Sequence, residues 1–139
     1  MKLAATVIYV DSVPAVLDFY RRAFALEPGL VDLDVQLPGR AAEGVYQFAS
    51  IDADGGTLGF GTHDLGALLM PGYAKPADGQ VAATEIAFYT SDVDGAYRRA
   101  VEAGAVPLAA PKAMPWGQTV AYVRSIEGTF VGICSPLAE

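Results

Sequence analysis

Apolar and polar positions change period several times along this chain. Ala4 to Val10 is β-branched and aromatic, broken only by Thr6, and predicts a strand. Directly after it, Val13, Val16, Leu17, Tyr20 and Phe24 recur at helical spacing. Asp11-Ser12 offers N-cap chemistry and Pro14 falls where a first helical turn tolerates it, so an amphipathic helix is predicted over residues 13–25. Leu30 to Leu37 alternates only in part but still predicts a strand. Gly44 to Ile51 and Thr57 to Thr62 predict two more, joined by Asp52-Ala53-Asp54-Gly55-Gly56, whose Asp-Gly step suits a hairpin turn.

Residues 63–83 break this rhythm. Gly66, Pro71, Gly72, Pro76 and Gly79 punctuate the segment and there is little periodicity beyond Leu65 to Met70, so a linker or lid loop is expected, with Tyr73 inside it. Thr84 to Thr90 then predicts a strand. Ser91-Asp92 caps a helix marked by Val93, Ala96, Tyr97, Ala100 and Val101, and Gly104 ends it. Val106 to Ala110, Thr119 to Arg124 and Phe130 to Ser135 supply three further strands.

The order strand, helix, three strands therefore occurs twice. Tyr9-Val10 followed by Ser12-Val13 matches Tyr89-Thr90 followed by Asp92-Val93 at an offset of 80, and Gly55-Gly56-Thr57-Leu58-Gly59-Phe60 matches Gly128-Thr129-Phe130-Val131-Gly132-Ile133 at an offset of 73. Two copies describe a duplicated module, since a solenoid normally needs three or more. The organisation read from the pattern is a first module over 1–62, a linker or lid over 63–83 and a second module over 84–139, all in one compact domain.

Composition narrows the function classes. The chain has 139 residues, of which 53% are hydrophobic and 18% charged, which is a globular composition with a large core. No apolar run approaches the ~20 residues that span a bilayer, so no membrane is expected as a partner, and the N-terminal residues run straight into a strand rather than a signal peptide, which gives a cytoplasmic expectation. A net charge of -7 without a basic run repels polyanions, so nucleic acid is not an expected partner. The single cysteine, Cys134, allows neither an intrachain disulfide nor a thiolate metal cluster, and with no basic group expected near it reads as a small buried hydrophobe. Neither a phosphate-binding Gly-Lys-Ser/Thr stretch, a dinucleotide fingerprint nor a nucleophile elbow is present.

With the duplication in hand, the chain resembles the vicinal oxygen chelate superfamily, which includes glyoxalase I, bleomycin-resistance proteins, fosfomycin-resistance enzymes and extradiol dioxygenases. The resemblance rests on Val7-Ile8-Tyr9-Val10-Asp11-Ser12-Val13 with Asp18-Phe19-Tyr20-Arg21-Arg22-Ala23-Phe24, and on Ile86-Ala87-Phe88-Tyr89-Thr90-Ser91-Asp92-Val93-Asp94 with Ala103-Gly104-Ala105. The hairpin Arg124-Ser125-Ile126-Glu127-Gly128-Thr129-Phe130 is similar to the family's Asp-Pro-Asp-Gly-Asn turn but departs from it at Ser125, Ile126 and Thr129. The resemblance implies an α+β fold in which two βαβββ modules form curved mixed sheets around a cup, with helices on the outside and a homodimer as the common assembly.

The resemblance also implies where a divalent metal would be held: by a residue early in the first strand of each module and one in the last strand of each. By motif spacing these are Ala5, Gly59, Glu85 and Gly132. Three lack a ligating side chain, and Glu85 joined by His63 supplies two ligands where three or more are generally needed. No metal and no other cofactor is therefore expected.

Strand alternation places Ala5, Val7 and Tyr9 on one face of the first module and Glu85, Ala87 and Tyr89 on one face of the second, and the resemblance implies that these faces line the cup. Glu85 is the one ionisable side chain expected on that floor, where desolvation suits a general base or a hydrogen-bond partner; the competing reading is a solvated or arginine-paired carboxylate at a sheet end. Tyr9, Tyr46, Tyr89 and Tyr122 are candidate ligand contacts through their hydroxyls, against the alternative of simple packing. Trp116, in the loop Met114-Pro115-Trp116-Gly117, can stack on a planar or cationic ligand at the rim, or close the core or a dimer contact. His63 is a further candidate contact; in an extended segment it points away from Asp64, and a loop-packing role competes. The function expected is small-molecule binding of the bleomycin-resistance type without the usual metal. The alternative is a lyase, isomerase or dioxygenase-like enzyme that uses Glu85 as acid or base, or a metal site not placed above.

Overall fold

The computed structural model describes residues 1–26, 31–33, 47–78, 80 and 83–137. They fall into two compact units: Met1–Arg21 with Leu26–Asp78, and Arg22–Ala25 with Gly79–Glu139.

The first unit begins with β1 (Thr6–Val10) and α1 (Val13–Phe24), whose last turn counts with the second unit. It continues with β2 (Val31–Leu33), β3 (Phe48–Ala53), β4 (Gly56–Thr62) and α2 (His63–Leu69). The sheet order is β1-β4-β3-β2, with β1 parallel to β4 and the other pairs antiparallel. β3 and β4 meet at Asp54-Gly55, and Gly55 at φ 97° adopts the left-handed backbone that only glycine takes cheaply. On α1 the buried positions are Val13, Val16, Phe19, Tyr20 and Ala23, so Phe19 and Ala23 do what the sequence pattern assigned to Leu17 and Phe24. The Tyr20 ring packs 4.9 Å from Phe60, and both are fully buried with Ile51.

The second unit repeats the plan: β5 (Glu85–Tyr89), α3 (Val93–Glu102), β6 (Val106–Ala113), β7 (Thr119–Arg124) and β8 (Phe130–Cys134). Its sheet order is β5-β8-β7-β6, again with the first strand parallel to the last. The Asp92 carboxylate accepts from Gly95 N at 2.9 Å and caps α3, and Gly104 at φ 115° turns the chain out of it. Val123, Val131 and Ile133 are buried on one side of this sheet.

The duplication holds to the residue. Val7 pairs with Gly59 and Ala87 pairs with Gly132, so the offsets of 80 and 73 carry one parallel ladder onto the other. The surplus seven residues of the first copy lie between its first and last strands.

Three local expectations change. The predicted strand at Leu30 to Leu37 is seen as β2 at Val31–Leu33, and the remainder, like Gly44 to Tyr46, lies outside the described residues. The segment at 63–83 opens with a helix rather than a loop: Thr62 caps α2 by accepting from Leu65 N at 3.1 Å, and Asp64 sits in its first turn. His63 is thus the first residue of a helix, not part of an extended run. Asp11 does not cap α1; Ser12 does, its carbonyl accepting from Val16 N at 3.1 Å.

Candidate functional site

In the second unit, β5, β8 and β7 bring Glu85, Gly132 and Tyr122 together. Tyr122 and Gly132 are register partners, and Ala87 is the partner of Gly132 on the other side. Glu85, two residues before Ala87 on the same face, folds back over Gly132, where a Cβ would collide with its Oε1. The same Cβ would lie 3.4 Å from the Tyr122 ring. Ala83, Thr84, Glu85, Leu108, Tyr122 and Phe130 are among the residues lining a recess of about 400 Å³, a volume within the range of small-ligand sites.

The polar groups of this apolar recess are few and specific. Burial first, then the neighbouring Glu85 carboxylate, hold the Tyr122 phenol above its usual 10.0, so it stays a neutral donor. Outside the lining, the same two causes push the thiol of buried Cys134 up from 9.0, which keeps it protonated and a poor nucleophile. Arg124 is turned to the side, its Nε donating to Gly128 O at 3.2 Å and its guanidinium 6.0 Å from the Phe130 ring centre. Glu85 itself is exposed, so the desolvated floor position expected from sequence is corrected to a carboxylate at the open edge of the recess.

In the first unit the sequence candidates Tyr9 and His63 meet, joined by three residues the pattern did not single out for this role. His63 Nδ1 lies 2.5 Å from the Tyr73 hydroxyl, and His63 Nε2 lies 3.5 Å from Asp11 Oδ1. The same Asp11 oxygen accepts from Lys75 Nζ at 2.6 Å. A carboxylate facing Nε2 favours the tautomer with the proton there, which leaves Nδ1 to accept from the Tyr73 hydroxyl. The Lys75 hydrogen bond holds the Asp11 carboxyl below its usual 3.8, and the same bond raises the Lys75 ammonium above 10.5. Tyr9 completes the cluster with its ring 5.2 Å from that of Tyr73.

Other candidates stand apart. Trp116 is exposed in the turn between β6 and β7, its Nε1 donating to Gln118 Oε1 at 2.8 Å. That turn precedes Thr119, whereas Glu85 is level with Phe130 and Arg124 at the opposite end of β7, so Trp116 does not join the recess. Tyr89 is 65% exposed at the far end of β5. Tyr46 lies outside the described residues.

The positions that would hold a divalent metal do not fit one. Gly59 is covered by the Phe48 ring, and Glu85 itself fills the space at Gly132 where a ligand side chain would start. Among the described residues no group of three or more His, Cys, Asp or Glu side chains is placed to share an ion. Among them, too, no helix is long and apolar enough to cross a membrane.

Comparison with known proteins accords with this geometry. The family model of the Glyoxalase/Bleomycin resistance protein/Dioxygenase superfamily matches residues 2–131. The chain belongs to this superfamily. Solved structures share the fold: a glyoxalase/bleomycin resistance protein/dioxygenase family enzyme from Burkholderia phytofirmans PsJN has a TM-score of 0.75 at 18% identity, over 97% of this chain and 98% of that one. A glyoxalase-related enzyme from Fulvimarina pelagi gives 0.74 at 18% identity, over 98% and 88%. TioX from Micromonospora sp. ML1 gives 0.68 at 21% identity, over 97% and 98%. No curated protein matches the chain.

The residues missed from sequence, Asp11, Tyr73 and Lys75, carried only a faint signal. Thr62 followed by Asp64 is a helix start, and a helix there is what turns His63 toward Asp11 and Tyr73.

Proposed function

We propose that this glyoxalase-superfamily chain binds a small molecule in the Glu85–Tyr122 recess without a divalent metal. The observation that carries the reading is the Glu85 carboxylate lying over Gly132 beside a neutral phenol, in an otherwise apolar recess. Such a site suits a ligand with an apolar body and a cationic or hydroxyl group against Glu85. The net charge of -7 draws cations toward it. The homodimer implied by the resemblance and a cytoplasmic location belong to the same reading; a monomeric mass by light scattering at micromolar concentration counts against the dimer.

The test is a thermal-shift titration with benzyltrimethylammonium against neutral benzyl alcohol. At a hundredfold excess over Kd a ligand adds about 2.7 kcal/mol to the folded state. The cation is expected to raise the melting temperature of wild type and not of Glu85→Gln. Equal shifts in both proteins, or none in either, overturn the reading. Zinc, nickel, manganese and iron(II) are expected to give no shift with metal-stripped protein; a shift lost in Glu85→Ala would show a metal site in which Glu85 is joined by ligands beyond the positions mapped above.

One observation favours a second reading. A carboxylate beside a phenol held neutral is a base next to an acid, the pairing a lyase or isomerase uses to move a proton. Turnover of a bound compound that is abolished in Glu85→Gln while its binding persists would place catalysis ahead of sequestration.

A further inference from the structure

We propose that the strap Pro71–Asp78 is an internal occupant of a ligand slot in the first unit, and that a small phenol bearing an ammonium group takes the same place when the strap swings out. The slot is formed by Tyr9, His63 and Asp11. The strap fills it with one phenol, from Tyr73, and one ammonium, from Lys75, two residues apart.

The fit is specific. The Tyr73 ring lies 5.2 Å from Tyr9 and 6.2 Å from His63, nearly parallel to the imidazole at 25°. Its hydroxyl meets Nδ1 of His63 and the Lys75 ammonium meets Asp11, so the two recognition points lie on opposite edges of one imidazole. The floor is kept low by Gly66, where a Cβ would press on the Tyr73 and Tyr9 rings at 3.1 Å, and by Gly61, where a Cβ would meet the Tyr9 ring at 2.9 Å. His63 is itself fixed, because Thr62 caps α2 and also donates to Gln47 Oε1 at 2.6 Å.

The strap, by contrast, lies at the surface. From Ala67 to Asp78 every residue is exposed except Tyr73. Its backbone closes a local turn, Tyr73 N donating to Met70 O at 3.0 Å, and Pro71, Gly72 and Pro76 keep it out of the sheet. A segment with a single half-buried side chain sits at the low end of local stability. A prebuilt recognition set beneath a removable cover is what a competing ligand of the same chemistry needs. The closed fraction then lowers that ligand's apparent affinity without altering the slot.

The test uses the whole chain and tyramine, a phenol with an ammonium arm, with phenethylamine as the control that lacks the hydroxyl. His63 is the single histidine, so its ring protons give an unambiguous magnetic-resonance reporter. Tyramine is expected to shift them saturably in Tyr73→Ala, with an affinity at least about tenfold above wild type, where the strap competes. Phenethylamine, short of one hydrogen bond, is expected to bind about tenfold more weakly than tyramine, and adding Asp11→Asn to Tyr73→Ala is expected to cost about tenfold again. Lys75→Ala, which leaves the core ring in place and loosens the strap, is expected to bind tyramine more tightly than wild type and serves if Tyr73→Ala does not fold. No shift of His63 by tyramine in a folded strap variant, or equal binding with and without the hydroxyl or Asp11, overturns the proposal. Because Glu85 is not involved, Glu85→Gln is expected to leave this binding intact, which separates it from the recess of the second unit.

Discussion

The Glu85 carboxylate occupies the space that a side chain on Gly132 would need. One residue therefore keeps its pose only because the other has no Cβ. Glu85 is exposed and can swing aside, so Gly132→Ala is expected to change stability by less than about 1 kcal/mol while weakening ligand binding at the recess by about tenfold or more. Urea melts alongside calorimetric titration of benzyltrimethylammonium measure the two effects separately.

The cap on α3 is a stability term with no part in the recess. Asp92→Ala leaves the Gly95 amide without its acceptor and is expected to lower the unfolding free energy by about 1 kcal/mol, read as a shift of the urea midpoint with unchanged slope. Affinity at the Glu85 recess should stay at the wild-type level.

Tyr122 reports on Glu85 directly. Its phenol is held above 10.0 by burial and then by the carboxylate, so its stabilising contribution is present below the usual tyrosine range and is lost as pH rises through the higher folded value. The tyrosinate absorbance difference between wild type and Tyr122→Phe isolates this group. In Glu85→Gln the midpoint is expected to fall, without reaching the usual value, because burial persists.

Asp11 and Lys75 titrate at opposite ends of the pH scale. The Asp11 carboxyl is lowered by the Lys75 hydrogen bond, so its contribution is complete above 3.8 and disappears as pH falls through its folded value. The Lys75 ammonium is raised, first by the same bond, so its contribution is complete below 10.5 and disappears as pH rises past its folded value. Carbon-13 titration of the Asp11 carboxyl is expected to give a midpoint below the usual one, and Lys75→Ala is expected to raise it. Both groups are largely exposed, so the effect on global melting is expected to be small.

Much of the fold was legible because it was written twice. The helix at Val13, the Asp-Gly turn at Gly55 and the Asp92 cap each obey a local rule, and the repeat ties them into one topology. The sheet register could then be checked pair by pair through Val7–Gly59 and Ala87–Gly132. The site was legible only in part. Parity put Glu85 on one face with Ala87 and Tyr89, and Tyr122 stood only as a candidate contact; exposure of Glu85 depends on what surrounds the strand, which alternation does not encode. The first-unit cluster was hidden because α2 is a seven-residue helix with Gly66 inside it, too short and too broken to show a period. Without that helix nothing in the sequence aims His63 at Tyr73, ten residues on, or at Asp11, which reads as a capping residue beside Ser12.

The two parallel ladders match to the residue although the first copy spends seven more residues between its outer strands. Duplication has thus released one copy from the duties of the other. The first has its glycine-floored face already furnished with a phenol and an amine from its own chain, while the second offers an apolar hollow with a single carboxylate at its edge. A mutation that tunes one chamber can leave the other's ladder untouched, so the halves are free to acquire unlike tastes on a common scaffold.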